Sequence, residues 1–85
     1  MRNIHWRVYL VRCADNSLYC GITSDITSRI EKHNAGKGAK YTKSRLPVKL
    51  MAVSSGMSKS DAIRLERYIK RKPAGEKVAV LKQRA

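Results

Sequence analysis

Tyr9, Tyr19 and Arg29 stand ten residues apart along the chain. The two phenols lie in short apolar runs, Val8-Tyr9-Leu10-Val11 and Leu18-Tyr19-Cys20-Gly21-Ile22. The arginine lies in the segment that follows them. An arginine suits the charge that builds on a phosphate during its transfer. A phenol could act as a base, but its ordinary pKa is about 10, so a neighbouring cation or metal would have to lower it. The trio suggests a phosphate-directed active site. Packing is the competing explanation, because tyrosine is a good strand residue and is often half-buried.

The elements that must position these residues follow from local chemistry. Residues 5–13 and 18–23 read as strands rich in Val, Tyr, Leu and Ile. Ala14-Asp15-Asn16-Ser17 between them is turn chemistry, so the two form a hairpin. Ser24 or Asp25 can cap a helix that runs to about Asn34 and ends at Ala35-Gly36. Residues 36–46 read as a basic loop with room for one helical turn. Pro47 suits the start of a strand, and 48–54 reads as the third. Ser58 and Asp61 resemble a capping box for a helix to about Arg71, which stops before Pro73. A short helix over 76–83 closes the chain. This predicts one domain over residues 1–85, built from a hairpin, a third strand and helices.

Helical geometry adds two residues. At about 100° per residue, Ile26 and Ile30 define the apolar stripe of the first helix, with Arg29 and His33 on it or at its edge. Ala62, Leu65 and Ile69 define the stripe of the long helix. Glu66 falls inside that stripe, while Arg64, Arg67, Lys70 and Arg71 lie outside or at its margin. Charged groups are rarely buried unless paired. Arg29 and Glu66 either pair with each other or line a cleft that takes a metal and a phosphate. A carboxylate with water ligands suits Mg²⁺. His33 reads either as a hydrogen-bonding neighbour or as a member of the site.

Hairpin parity sets a condition. A two-residue turn at Asp15-Asn16 would pair Tyr9 with Ile22 and put the phenols on opposite faces. A shared site requires an odd register, through a three- or five-residue connection or a bulge. The odd register is predicted.

The bulk numbers limit the partners. Nineteen Lys and Arg oppose six Asp and Glu in 85 residues, a net charge of +13. Such an excess favours a polyanion, nucleic acid first. A chain this short buries only roughly 60% of its unfolded surface, so its core is thin. No apolar run is long enough to span a bilayer, and residues 1–6 carry no apolar signal region. Cys13 and Cys20 have neither metal-ligand nor redox spacing, so a reduced, cytoplasmic setting is expected. Lys37, Lys40, Lys43 and Arg45 are positioned to grip a nucleic-acid backbone. Tyr41 either stacks on a base or anchors the loop.

Together these residues resemble the GIY-YIG nuclease superfamily, and most closely its small bacterial members of the YhbQ/YazA type. The paired motifs stand as Val8-Tyr9-Leu10 and Tyr19-Cys20-Gly21, followed by Arg29, His33 and Glu66. The segment Gly36-Lys37-Gly38-Ala39-Lys40-Tyr41-Thr42 is also similar. Arg7 stands where the first motif has glycine, and Cys20 where the second has isoleucine. No asparagine follows Asn34. The resemblance covers about residues 5–72 and implies an α+β fold, a three-stranded antiparallel sheet flanked by helices. It also implies a divalent-metal-dependent endonuclease that hydrolyses DNA phosphodiester bonds, structure-directed, in repair or recombination. Glu66 would hold one Mg²⁺ or Mn²⁺. Tyr9 or Tyr19 would be the base, Arg29 would neutralise phosphate charge, and His33 would support a tyrosine or water. Branched or nicked DNA is the expected partner, with RNA as an alternative and a protein partner to supply specificity. The competing functions are a non-catalytic nucleic-acid-binding module and a nuclease subunit of a larger complex.

Overall fold

The computed structural model describes residues 4–85. Residues 1–3, the start of the stretch read for a signal region, lie outside the described residues. The elements are β1 (Arg7–Arg12), β2 (Leu18–Thr23), α1 (Ile26–Asn34), α2 (Lys40–Lys43), β3 (Lys49–Val53), α3 (Lys59–Lys70) and α4 (Ala74–Lys82). The strands form an antiparallel sheet in the order β2-β1-β3. The fold is the predicted α+β arrangement. β1 is central because it has Val8, Tyr9, Leu10 and Val11 in a row, all buried, as a strand covered on both faces requires.

The hairpin takes the odd register. The Cys13 N–H donates to the Ser17 carbonyl at 2.8 Å, and the Asn16 N–H donates to the Cys13 carbonyl at 2.9 Å. Asn16 has φ 69, the left-handed residue that a three-residue connection needs. Asp15 accepts from the Ser17 N–H across the turn at 3.0 Å. Tyr9 therefore pairs with Gly21, and Val11 with Tyr19. Residues two apart on a strand share a face, so both phenols point to the same side.

Each face of the sheet has its own layer. Val8, Leu10, Cys20 and Ala52 pack under Ala62, Leu65 and Ile69 of α3 and Leu81 of α4. On the other face Tyr9, Val11, Cys13 and Val48 pack with Tyr19, Ile26, Ile30 and Leu46. The pairing of β1 with β3 shifts between Leu10 and Val11.

Caps fix the helix ends. Asp25 accepts from the Ser28 N–H at the start of α1, and Gly36 with φ 76 follows its end. Ser58 accepts from the Asp61 N–H at 3.2 Å. Asp61 itself turns to Arg64 at 3.9 Å, so the capping box is half made. The last helix begins two residues before the predicted start, because the Pro73 carbonyl accepts from the Glu76 N–H at 2.9 Å and closes a turn there. Among the described residues no helix is long and apolar enough to cross a membrane.

Candidate active site

The α1 face of the sheet carries a connected set of polar groups. Tyr9 is fully buried on β1. The Arg29 Nε–H of α1 donates to its phenol oxygen at 3.2 Å. His33, one turn further along α1 and also fully buried, places Nε2 at 2.9 Å from the same oxygen. On the far side of the ring, His33 Nδ1 lies 2.8 Å from the Thr42 hydroxyl. Thr42 is buried on α2 and donates to the Ala39 carbonyl at 2.9 Å. Tyr19 stands beside them, with its ring centroid 6.4 Å from Tyr9 and 5.6 Å from His33.

Two glycines make this approach possible. A Cβ on Gly21 would lie 2.6 Å from the Tyr9 hydroxyl and 3.1 Å from the Tyr19 ring. The Tyr9 ring thus occupies the space above its own strand partner. A Cβ on Gly38 would meet the His33 ring, so Gly38 lets the 36–45 loop lie directly on the imidazole.

Burial and charge set the protonation tendencies. Burial pushes the Tyr9 phenol above its ordinary pKa, and the Arg29 guanidinium only partly offsets this. The hydrogen bond to Tyr9 holds Arg29 more firmly charged, against its own partial burial. Burial lowers His33, and the Arg29 charge adds to the effect. Near neutral pH the imidazole is neutral and the Tyr9 phenol keeps its proton. Tyr9 has no exposed surface, whereas Tyr19 is only half-buried.

Glu66 is set apart from these four. It projects from α3, on the opposite face of the sheet, and its charge acts on Cys20. Burial, with the Glu66 carboxylate beside it, pushes the Cys20 thiol up to about 12. Cys20 and Tyr19 are neighbours on β2 and point to opposite faces. The phenols and the carboxylate could therefore meet one substrate only around the edge of β2, which is an outer strand. Glu66 pairs with Lys70 at 3.7 Å and keeps 21% of its side chain exposed. Among the described residues no Arg29–Glu66 ion pair forms. The helical stripe of α3 told which side of the helix Glu66 occupies, but not which face of the sheet the helix covers.

The loop residues divide into two kinds. Lys37, Lys40 and Lys43 are exposed. Arg45 is engaged: its Nε–H donates to Asp15 at 3.0 Å, and Nη1 donates to the Tyr41 carbonyl at 2.7 Å. Its guanidinium carbon lies 4.0 Å from the Tyr41 ring centroid. Tyr41 stacks in turn on Tyr19, with centroids 5.9 Å apart and planes at 24°. The layers Tyr19, Tyr41 and Arg45 fasten the loop to the hairpin turn. Thr42 is not marked in the sequence, because a single hydroxyl in an aperiodic loop carries no spacing signal. Gly38 is the available hint, since a glycine can mark a place where backbone passes close to something.

Residues 5–77 match the GIY-YIG catalytic domain. A UPF0213 protein of Lactococcus lactis subsp. cremoris (strain SK11) is 51% identical over 70 residues, covering 82% of this chain and 70% of that protein. The UPF0213 protein SH2523 of Staphylococcus haemolyticus (strain JCSC1435) is 49% identical over 77 residues, covering 91% of this chain and 94% of that one. The solution NMR structure of the UPF0213 protein BH0048 from Bacillus halodurans superposes with a TM-score of 0.55 at 40% identity, over 92% of this chain and 83% of that chain. With the match running from before β1 to within α4, the chain belongs to the GIY-YIG family.

Proposed function

We propose that this protein is a divalent-metal-dependent endonuclease that hydrolyses DNA phosphodiester bonds, directed by DNA structure more than by sequence. The observation that carries this reading is the convergence of Arg29, Tyr9, His33 and Tyr19 on one face of a +13 protein. A guanidinium held by a buried phenol is a preorganised charge, which favours a transition state that gathers negative charge. Arg29 offers its terminal nitrogens to the scissile phosphate. Tyr19, the phenol with exposed surface, takes the proton of the attacking water. Tyr9 and His33 keep Arg29 in place.

Glu66 fits a hard divalent ion. Its carboxylate is half-buried and, among the described residues, has only a long ion pair, to Lys70. Among the described residues no three His, Cys, Asp or Glu side chains converge. One carboxylate completed by water and phosphate oxygens suits Mg²⁺ or Mn²⁺. When bound, the ion supplies charge neutralisation at the leaving oxygen. Lys37, Lys40 and Lys43 grip the DNA backbone without reading sequence. Structure direction, with nicked or branched DNA as substrate, points to a setting in repair or recombination.

One observation favours a second reading, a non-catalytic nucleic-acid-binding module: Lys70 already occupies Glu66. Incubating the protein with nicked and branched DNA, with and without Mg²⁺ or Mn²⁺, separates the two. A nuclease cleaves only with the ion, and Arg29→Ala abolishes cleavage. Binding without cleavage under every ion condition supports the module.

A further inference from the structure

The hydrogen bonds around His33 have a direction that the distances alone do not state. The Thr42 hydroxyl has one hydrogen, and it goes to the Ala39 carbonyl. Thr42 can then only accept from His33, so the imidazole proton sits on Nδ1. Nε2 is left as an acceptor, and the Tyr9 O–H donates to it. The Tyr9 oxygen keeps its lone pairs for the Arg29 Nε–H. The donors run Arg29, Tyr9, His33, Thr42 and end on the Ala39 carbonyl, and every hydrogen along this line has an acceptor. The opposite tautomer breaks this. A proton on Nε2 would point at Tyr9, and the Tyr9 hydrogen would then have no acceptor among the described residues, in a fully buried setting. Buried polar groups left unsatisfied in this way are rare and costly.

We infer that Thr42 is a positioning residue of the active site: by fixing His33 as the Nδ1–H tautomer, it sets the direction of the chain that holds Arg29 toward the phosphate. This rests on the nuclease reading for its catalytic consequence, though not for the tautomer itself. It also gives the 36–45 loop a second task. Besides presenting Lys37, Lys40 and Lys43, the loop carries the last side chain of the relay into the core. Gly38 serves this end, since any side chain there would lift the loop off His33.

The test joins side-chain nitrogen NMR of His33 to cleavage kinetics, on wild type, Thr42→Val and Thr42→Ser. Valine keeps the shape and removes the hydroxyl, while serine restores it. The wild-type protein should show the Nδ1–H tautomer. Thr42→Val should lose it or give a mixture of tautomers, and its kcat should fall about 10-fold or more with KM little changed. Thr42→Ser should recover both. A wild-type Nε2–H tautomer would overturn the inference, as would a Thr42→Val protein with the wild-type tautomer and wild-type kcat. If Thr42→Val does not fold, the wild-type spectrum and the serine variant still decide: serine must keep the tautomer, and a different one in folded Thr42→Ser contradicts the assignment. Should wild type cleave no DNA while the tautomer responds to Thr42 as stated, the nuclease reading fails and the hydrogen-bond assignment stands.

Discussion

Tyr9→Phe deletes one oxygen that serves two partners. Arg29 loses the acceptor of its Nε–H, and His33 loses the donor to Nε2. Leaving buried groups unpaired costs about 1–3 kcal/mol, which for a domain of this size lowers Tm by roughly 4–8 °C per kcal/mol. Tyr19→Phe removes a hydroxyl at the half-buried edge of the site, so its Tm should stay within a few degrees. Its cleavage rate should fall about 10²–10⁴-fold, the span of general-base effects. Thermal melts and single-turnover cleavage of the two variants check the division of labour between the phenols. His33 gives a pH prediction. Its folded pKa is depressed by burial and by Arg29, so the unfolded chain takes up a proton first as pH falls. Stability is fully present above the unfolded value of about 6.5 and is lost as pH drops from there through the lower folded value. His33→Gln, compared with wild type by denaturant melts at several pH values below neutrality, should flatten that slope.

At the scale of elements, the hairpin decides whether a site exists at all. A three-residue connection ending in left-handed Asn16 puts Tyr9 and Tyr19 on one face, and the parity argument anticipated this from the two phenols alone. Gly21 makes the hairpin compatible with the ring above it. Gly21→Ala would place a methyl 2.6 Å from the Tyr9 hydroxyl, and overpacking of this kind costs about 1–3 kcal/mol. A melt of Gly21→Ala should show that loss, together with weakened cleavage as Tyr9 is pushed off Arg29. Strand alternation, caps and the stripe of α1 were legible because each obeys a short-range rule. The face covered by α3 was not, because which side of a sheet a helix packs on is decided by long-range burial. The loop was half legible. Its exposed lysines follow from composition, whereas Arg45 spends its charge on Asp15 in the hairpin turn, a partner thirty residues away in sequence.

At the scale of the molecule, the sheet separates two kinds of chemistry. One face holds the phenols, the guanidinium and the imidazole; the other holds Glu66 above Cys20. Only around the edge of β2 could a phosphodiester reach both, so the proposed reaction requires Glu66 to act with the tyrosine face on one substrate. A +13 charge favours a polyanion whether or not cleavage occurs, and such binding weakens steeply with salt, so binding and cleavage must be read from the same low-salt mixture. The direct measurement is cleavage and binding of one labelled branched or nicked DNA with Mg²⁺, by wild type and Glu66→Ala side by side. Cleavage by wild type alone is expected, with equal binding by both. Equal cleavage by the two proteins, or none by either, would contradict it.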